Sequence, residues 1–197
     1  DSDKSRLEQL FIKAIAPLAE ELGVIVVDGG TDAGVMRFIG RARSAIGATF
    51  PLIGVAAIGT VVLPDQPSSN PDAAPLEPHH THFLLVPGSN WGDESSWLSQ
   101  TATVLSADLP SVTLVVNGGE ITLQDVRYSV QADRPAIALD GTGRTADKLA
   151  AALRGEATDL RAKQLADSGK MQAIDLTQHP EQLVEVIRGI LSKLLLF

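Results

Sequence analysis

The sequence predicts an α/β domain, a doubly wound sheet of about five or six mainly parallel strands with helices on both faces. Three observations carry this reading. Short apolar, often β-branched runs recur along the 197 residues, helical patterns follow most of them, and glycine-rich turns join one to the other. The length suits one domain, 1–197, with enough chain to bury a substantial core.

The first element is an amphipathic helix. Leu7, Leu10, Phe11, Ala14, Ile15, Leu18 and Leu22 share one stripe at i, i+3, i+4 spacing, and Gly23 stops it. Val24–Val27 is a continuous β-branched run, as in a strand covered on both faces. A turn over Asp28–Gly34 then feeds a helix that carries Val35, Met36, Ile39, Ala42 and Ile46 on one side. Further strands are expected at Pro51–Ala57, Phe83–Val86, Val112–Val116 and Ala136–Leu139, with a weaker one at Met171–Leu176. Helical patterns cover roughly 92–107, 121–132, 145–154 and 178–196. Pro64–Pro78 holds five prolines with Ser, Asn and Asp and no periodicity, so it reads as a mobile surface loop with no sheet to join.

Composition excludes several functions. A net charge of −8 opposes non-specific attraction to nucleic acid or an anionic membrane. An anionic ligand remains open to the chain, because helix N-termini and local arginines hold phosphates in acidic proteins. Without cysteine there is no disulfide, thiolate chemistry or zinc–sulfur site. No run of about eighteen apolar residues is present, and Leu183–Phe197 is broken by Glu185, Arg188 and Lys193, so the segment does not span a membrane. The apolar end Leu194–Phe197 would be a liability in water and predicts either a self-association interface, hence a homo-oligomer, or continuation into a further region.

Three turns have the composition of a ligand edge: Asp28–Gly34, Asn117-Gly118-Gly119-Glu120 and Asp140-Gly141-Thr142-Gly143-Arg144. In open parallel sheets ligands sit beyond the carboxyl ends of the strands, where a turn feeds a helix N-terminus. Glycine lets a ligand approach the main chain, and the exposed N–H groups favour an anion. Arg144 beside its Gly-Thr-Gly turn suits bidentate phosphate binding; the alternative is a surface ion pair with Asp147 or Asp140. Asp28 and Asp140 could bind ribose hydroxyls, serve acid–base work or fix their own turns, and turn-fixing is favoured for Asp28. Thr31 and Asp32 are good helix N-caps.

His79-His80-Thr81-His82 invites a metal reading, with His80 and His82 on one strand face, but no matching carboxylate is evident; packed imidazoles explain it as well. No metal or other cofactor is expected. Trp91 and Trp97 read as core and helix-start residues. Neither a Gly-x-Ser-x-Gly elbow nor a Gly-x-Gly-x-x-Gly fingerprint is present, which opposes serine hydrolase and dinucleotide dehydrogenase chemistry.

Four ordered stretches carry a family resemblance: Val27–Met36, Leu52–Ala56, His80–Gly88 and Gly141–Asp147. Together they resemble the prokaryotic LSDAT domains of the SLOG superfamily, which are similar to the N-terminal cytosolic homology region of TRPM channels. The resemblance implies a Rossmann-like, cytoplasmic sensor of ADP-ribose or a related NAD-derived or cyclic nucleotide, tied to a membrane or effector module. It would place Gly29, Gly30, Thr31, Gly34, Gly118, Gly119, Gly141, Thr142, Gly143 and Arg144 at the site, with Glu120 beside them. It also implies a further strand ahead of Asp1, which would carry part of that site.

The same superfamily contains cytokinin-activating phosphoribohydrolases with the motif Pro-Gly-Gly-x-Gly-Thr-x-x-Glu. The matching stretch here has Asn117 for Pro, Ile121 for the third glycine and Asp125 for Glu. An N-glycosidic hydrolase using Glu120 or Asp125 is the alternative. A carboxylate one methylene short on a stiffer turn argues against it.

Overall fold

Every one of the six apolar runs becomes a parallel strand, and what the sequence does not convey is which strands lie side by side. The computed structural model describes residues 2–66, 68–156, 159–176 and 182–192. The chain divides into two compact units, Asp1–Thr101 and Ala102–Phe197.

The first unit opens with α1 (Ser2–Leu10), a wider π-helical turn over Phe11–Ile15, and α2 (Ala16–Leu22). Pro17 accounts for the wide turn. It has no N–H to give to an i−4 carbonyl, and the Ala16 N–H reaches back five residues to the Phe11 carbonyl. Leu7, Phe11, Ile15 and Leu18 are buried, and Phe11 packs on Phe38 with ring centroids 5.8 Å apart. Gly23, at φ 61°, closes the helix by donating to the Ala19 and Glu20 carbonyls.

β1 (Val26–Asp28), α3 (Gly34–Ala45), β2 (Leu52–Ala57) and β5 (His82–Val86) follow, with the short β3 (Val61–Val62) and β4 (Ala74–Pro75) between the last two. The main sheet has the order β1-β2-β5, with Asp28 opposite Gly54 and Gly54 opposite Phe83. The central β2 is almost wholly buried, as its unbroken apolar run requires.

The proline-rich loop departs from expectation, because it does find a sheet to join. β4 pairs with β3, Thr31 bridges to Leu76, and the Asn70 side-chain amide donates to the Gly59 carbonyl. Glu77 is then buried, with only 1% of its surface exposed. Limited proteolysis should therefore cut first within 64–73 and spare 74–78. First cuts at 74–78 would contradict these pairings.

α4 (Ser95–Ser106) crosses from the first unit to the second. Trp91, on the turn before α4, and Trp97, in its first turn, stand at a helix start as expected, but both keep about 40% exposure and are not core residues.

The second unit comprises β6 (Thr113–Val115), α5 (Glu120–Gln131), β7 (Ala136–Asp140), α6 (Arg144–Leu153), α7 (Leu160–Ala166), β8 (Met171–Asp175) and α8 (Gln182–Leu191). Its sheet runs β6-β7-β8, all parallel. Ala136 through Leu139 on β7 are completely buried. Alanines at 136, 138, 146 and 152 build one core with Val115, Leu123, Val126, Leu149, Ala162 and Leu165. Small side chains bring α6 close against β7. The short α7 was not expected; Asp159 caps it, accepting from the Arg161 and Ala162 N–H groups.

The single sheet of five or six strands is thus corrected to two three-stranded parallel sheets and one two-stranded pair. Periodicity reports which faces of a strand are buried, and lateral order lies outside what it records. Leu183 and Ile187 form the buried stripe of α8, while Leu194–Phe197 lies outside the described residues. Among the described residues no helix is long and apolar enough to cross a membrane.

Candidate functional site

Two of the three glycine turns emerge from neighbouring strands. Val115 on β6 pairs with Ala138 on β7, so Asn117–Glu120 and Asp140–Arg144 leave one sheet edge side by side. The turns are bonded to each other. The Asn117 N–H donates to Thr142 Oγ1 (2.9 Å), the Asn117 side-chain amide to the Thr142 carbonyl (2.7 Å), and Thr145 Oγ1 to the Gly119 carbonyl (2.8 Å). Thr142 Oγ1 donates in turn to the Leu139 carbonyl at 2.6 Å and is buried. Thr142 is therefore a rivet between turns, with no group left for a ligand.

The third turn has filled its own anion nest. The N–H groups of Gly141, Thr142 and Gly143 all donate to Asp147 Oδ1, at 2.9, 3.1 and 2.9 Å. A carboxylate in the first turn of α6 complements the helix dipole and takes the place a phosphate oxygen would need. Asp140 pairs with Arg154. Both expected partners of Arg144 are thus engaged elsewhere, and among the described residues Arg144 makes no ion pair.

Arg144 is exposed and opens α6 at φ 51°, a left-handed conformation that costs a branched-out side chain free energy. Its guanidinium lies over the second turn: a Cβ on Gly119 would come within 3.2 Å of Arg144 Nη2. A side chain at 119 would crowd that approach. Gly119 is also the N-cap of α5, whose first residue is Glu120.

Glu120 is held by cations on two other helices. Arg161 Nη2 lies 2.9 Å from its Oε2 and Lys148 Nζ 3.5 Å from its Oε1. The hydrogen bond from Arg161, then the charges of Arg161 and Lys148, keep its carboxyl below the ordinary glutamate range. Asp159 joins the same cations, at 3.4 Å from Lys148 and 2.9 Å from Arg161. Around the second turn three cations, Arg144, Lys148 and Arg161, face two carboxylates. Asp125 lies five residues beyond Glu120 on α5, about 140° around the helix, so the two do not form a carboxylate pair.

The first turn, in the other unit, is committed to packing. A Cβ on Gly30 would fall 2.7 Å from the Gly54 Cα, so the turn and β2 touch backbone to backbone. Thr31 is buried, Gly29 faces Met36, and Gly34 is the first residue of α3 at φ 48°. The N-cap of α3 is Ala33 rather than Thr31 or Asp32; Asp32 instead pairs with Arg37 at 2.6 Å.

Asp28 fixes its turn by accepting from the Gly30 N–H at 2.7 Å. It also meets a histidine whose two carboxylate partners the sequence does not reveal. His80 Nε2 lies 2.8 Å from Asp28 Oδ1, and His80 Nδ1 lies 2.8 Å from Glu77 Oε2. Each ring nitrogen faces a carboxylate, the arrangement of an imidazolium. Burial works against that charge, but hydrogen bonds and charge from Asp28, then Glu77, hold its pKa above the usual histidine value. His79 Nδ1 reaches Glu77 Oε1 at 2.6 Å, and His80 stacks on Phe83. Asp28 Oδ2 is buried with no hydrogen-bond partner among the described residues.

His80 has both ring nitrogens facing carboxylates, and the exposed His82 ring is bonded to the Thr81 hydroxyl. The expected shared strand face fails because β5 begins at His82. Among the described residues no His, Asp and Glu group is arranged to hold a metal ion.

The sequence signature of the prokaryotic SLOG-in-TRPM (LSDAT) family matches residues 1–185. The chain belongs to that family. Among the proteins it resembles are channels. It is 25% identical to a transient receptor potential cation channel subfamily M member-like 2 of Nematostella vectensis over 93% of this chain and 14% of the channel. It is also 25% identical to subfamily M member 2 of Mus musculus over 75% of this chain and 12% of the channel. The chain therefore spans only a small part of these relatives.

The fold is shared with solved structures. A structural genomics target, TM1055, superposes with a TM-score of 0.62 at 18% identity, covering 94% of this chain and 89% of that one. A molybdenum cofactor binding protein from Rippkaea orientalis gives 0.55 at 16% identity, covering 96% and 88%. These likenesses show a shared Rossmann-like α/β fold and leave the ligand to the site itself.

Proposed function

We propose that this chain is a ligand-sensing domain. It binds ADP-ribose or a related NAD-derived or cyclic nucleotide and relays occupancy to a partner module. The observation that carries the reading is Arg144, an exposed cation without an ion pair among the described residues, held over Gly119 at the N-terminus of α5. A guanidinium in a left-handed conformation beside a helix N-terminus is doubly unfavourable by itself; a phosphate between the two positive ends offsets both costs. Phosphate binding thus falls to Gly118, Gly119 and Arg144, because Gly141, Thr142 and Gly143 already serve Asp147.

Binding without turnover fits Glu120. A general acid for N-glycosidic cleavage needs a raised pKa, whereas the cations beside Glu120 lower it. The kinship with channel proteins supports an effector partner and a cytosolic site of action. Thermal unfolding against AMP, NAD, ADP-ribose and cyclic ADP-ribose tests this. A ligand at a hundred times its Kd adds about 2.7 kcal/mol, which raises the midpoint of a chain this size by roughly 5–10 °C. Midpoints unmoved by all four would overturn the reading, and conversion of any of them on chromatography would favour the hydrolase.

A further inference from the structure

We propose that Lys148 and Arg161 form a second anion subsite, for a further phosphoryl group of the ligand, and that the Glu120 carboxylate fills it in the free protein. This rests on the reading above and adds the residues that would meet a second phosphoryl group and a device that tunes its affinity.

Both turns of the second unit hold an internal carboxylate, but the two are held very differently. Asp147 is half-buried and receives three backbone N–H groups on one oxygen. It belongs to the turn and does not exchange. Glu120 keeps 68% of its side chain exposed and is held only by two long side chains, with Lys148 at 3.5 Å and Arg161 at 2.9 Å. Exposed pairs of this kind are weak and open readily to water and competing ions.

The cations do not depend on Glu120 for their placement. Asp159 is fixed as the N-cap of α7 and accepts from both Lys148 and Arg161, so the fork persists when Glu120 swings away. Lys148 lies four residues after Arg144 on α6, which sets the two on one helix face, a turn apart. A phosphoryl group bound by Arg144 at Gly119 thus has Lys148 next along the helix. The terminal phosphoryl group of a nucleoside diphosphate carries more charge than a carboxylate and offers more acceptor oxygens, so it displaces Glu120 from the fork.

Calorimetric titration of AMP and ADP at 0.15 M ionic strength tests this on the wild type and three variants. Glu120→Gln keeps the shape and removes the charge; it should tighten ADP about three- to six-fold and AMP less than about two-fold, the range of an exposed ion pair. Arg161→Gln should weaken ADP to the AMP level. Glu156→Gln, which removes an exposed carboxylate paired with Arg154 instead, should change neither and so measures the general effect of net charge. If Glu120→Gln leaves ADP unchanged or weaker, tightens both nucleotides equally, or is matched by Glu156→Gln, the subsite is overturned while AMP binding keeps the phosphate reading intact. Failure of both nucleotides to bind any of the proteins removes the subsite and the phosphate reading together.

Discussion

Glu77→Ala should destabilise the first unit by about 3–5 kcal/mol, the cost of removing one member of a buried ion pair. Glu77 is 1% exposed, its N–H donates to the Gly30 carbonyl, and its carboxylate accepts from the His79 N–H, His79 Nδ1 and His80 Nδ1. Truncation leaves the His80 imidazolium with Asp28 alone and opens a polar hole against α3. A domain of this size is stable by only about 5–15 kcal/mol, so urea unfolding should show the midpoint falling steeply. A loss under about 1 kcal/mol would mean that His80 is not charged in the folded protein.

The same network makes stability depend on pH, with a definite sign. The folded His80 pKa is raised above an unfolded value near 6.5, so folding favours the protonated ring. The contribution is full below about pH 6.5 and is lost as pH rises through the folded value. The difference in stability between wild type and Glu77→Ala should therefore narrow on the alkaline side.

The six strands and most helices are legible in the sequence because each is short, apolar and bounded by glycine or proline. The π-helical turn before Pro17 and the small helix α7 are less so, since each hangs on one residue, a missing N–H in one case and the Asp159 cap in the other. The glycine turns are visible, but which of them stays free is not. Gly30 is consumed by contact with Gly54, and the 141–143 nest by Asp147, through contacts between segments far apart or a turn apart. The buried histidine network left one trace. Gly40 sits mid-helix in α3, where glycine weakens a helix, because a Cβ there would fall 2.1 Å from Glu77 Oε2. A glycine in the wrong place for its helix marks what packs against it.

Arg144→Ala should weaken nucleotide binding roughly 10- to 100-fold, the loss of a charge-assisted hydrogen bond of about 1.5–3 kcal/mol, and leave the unliganded midpoint nearly unmoved. The stability half follows from what Arg144 lacks. It makes no ion pair among the described residues, since Asp147 is taken by three backbone N–H groups and Asp140 by Arg154. Alanine also inherits the strained backbone at φ 51°, so the substitution neither removes a contact nor relieves the conformation. Arg144→Gly separates the two effects. Glycine accepts a left-handed conformation at no steric cost, so this variant should unfold at a slightly higher temperature than Arg144→Ala while binding just as poorly. A structural arginine would behave the other way, with both variants unfolding earlier and nucleotide affinity intact. Calorimetric titration with ADP-ribose beside thermal unfolding of the two variants reads both quantities, and unchanged affinity in either variant would take Arg144 out of the site.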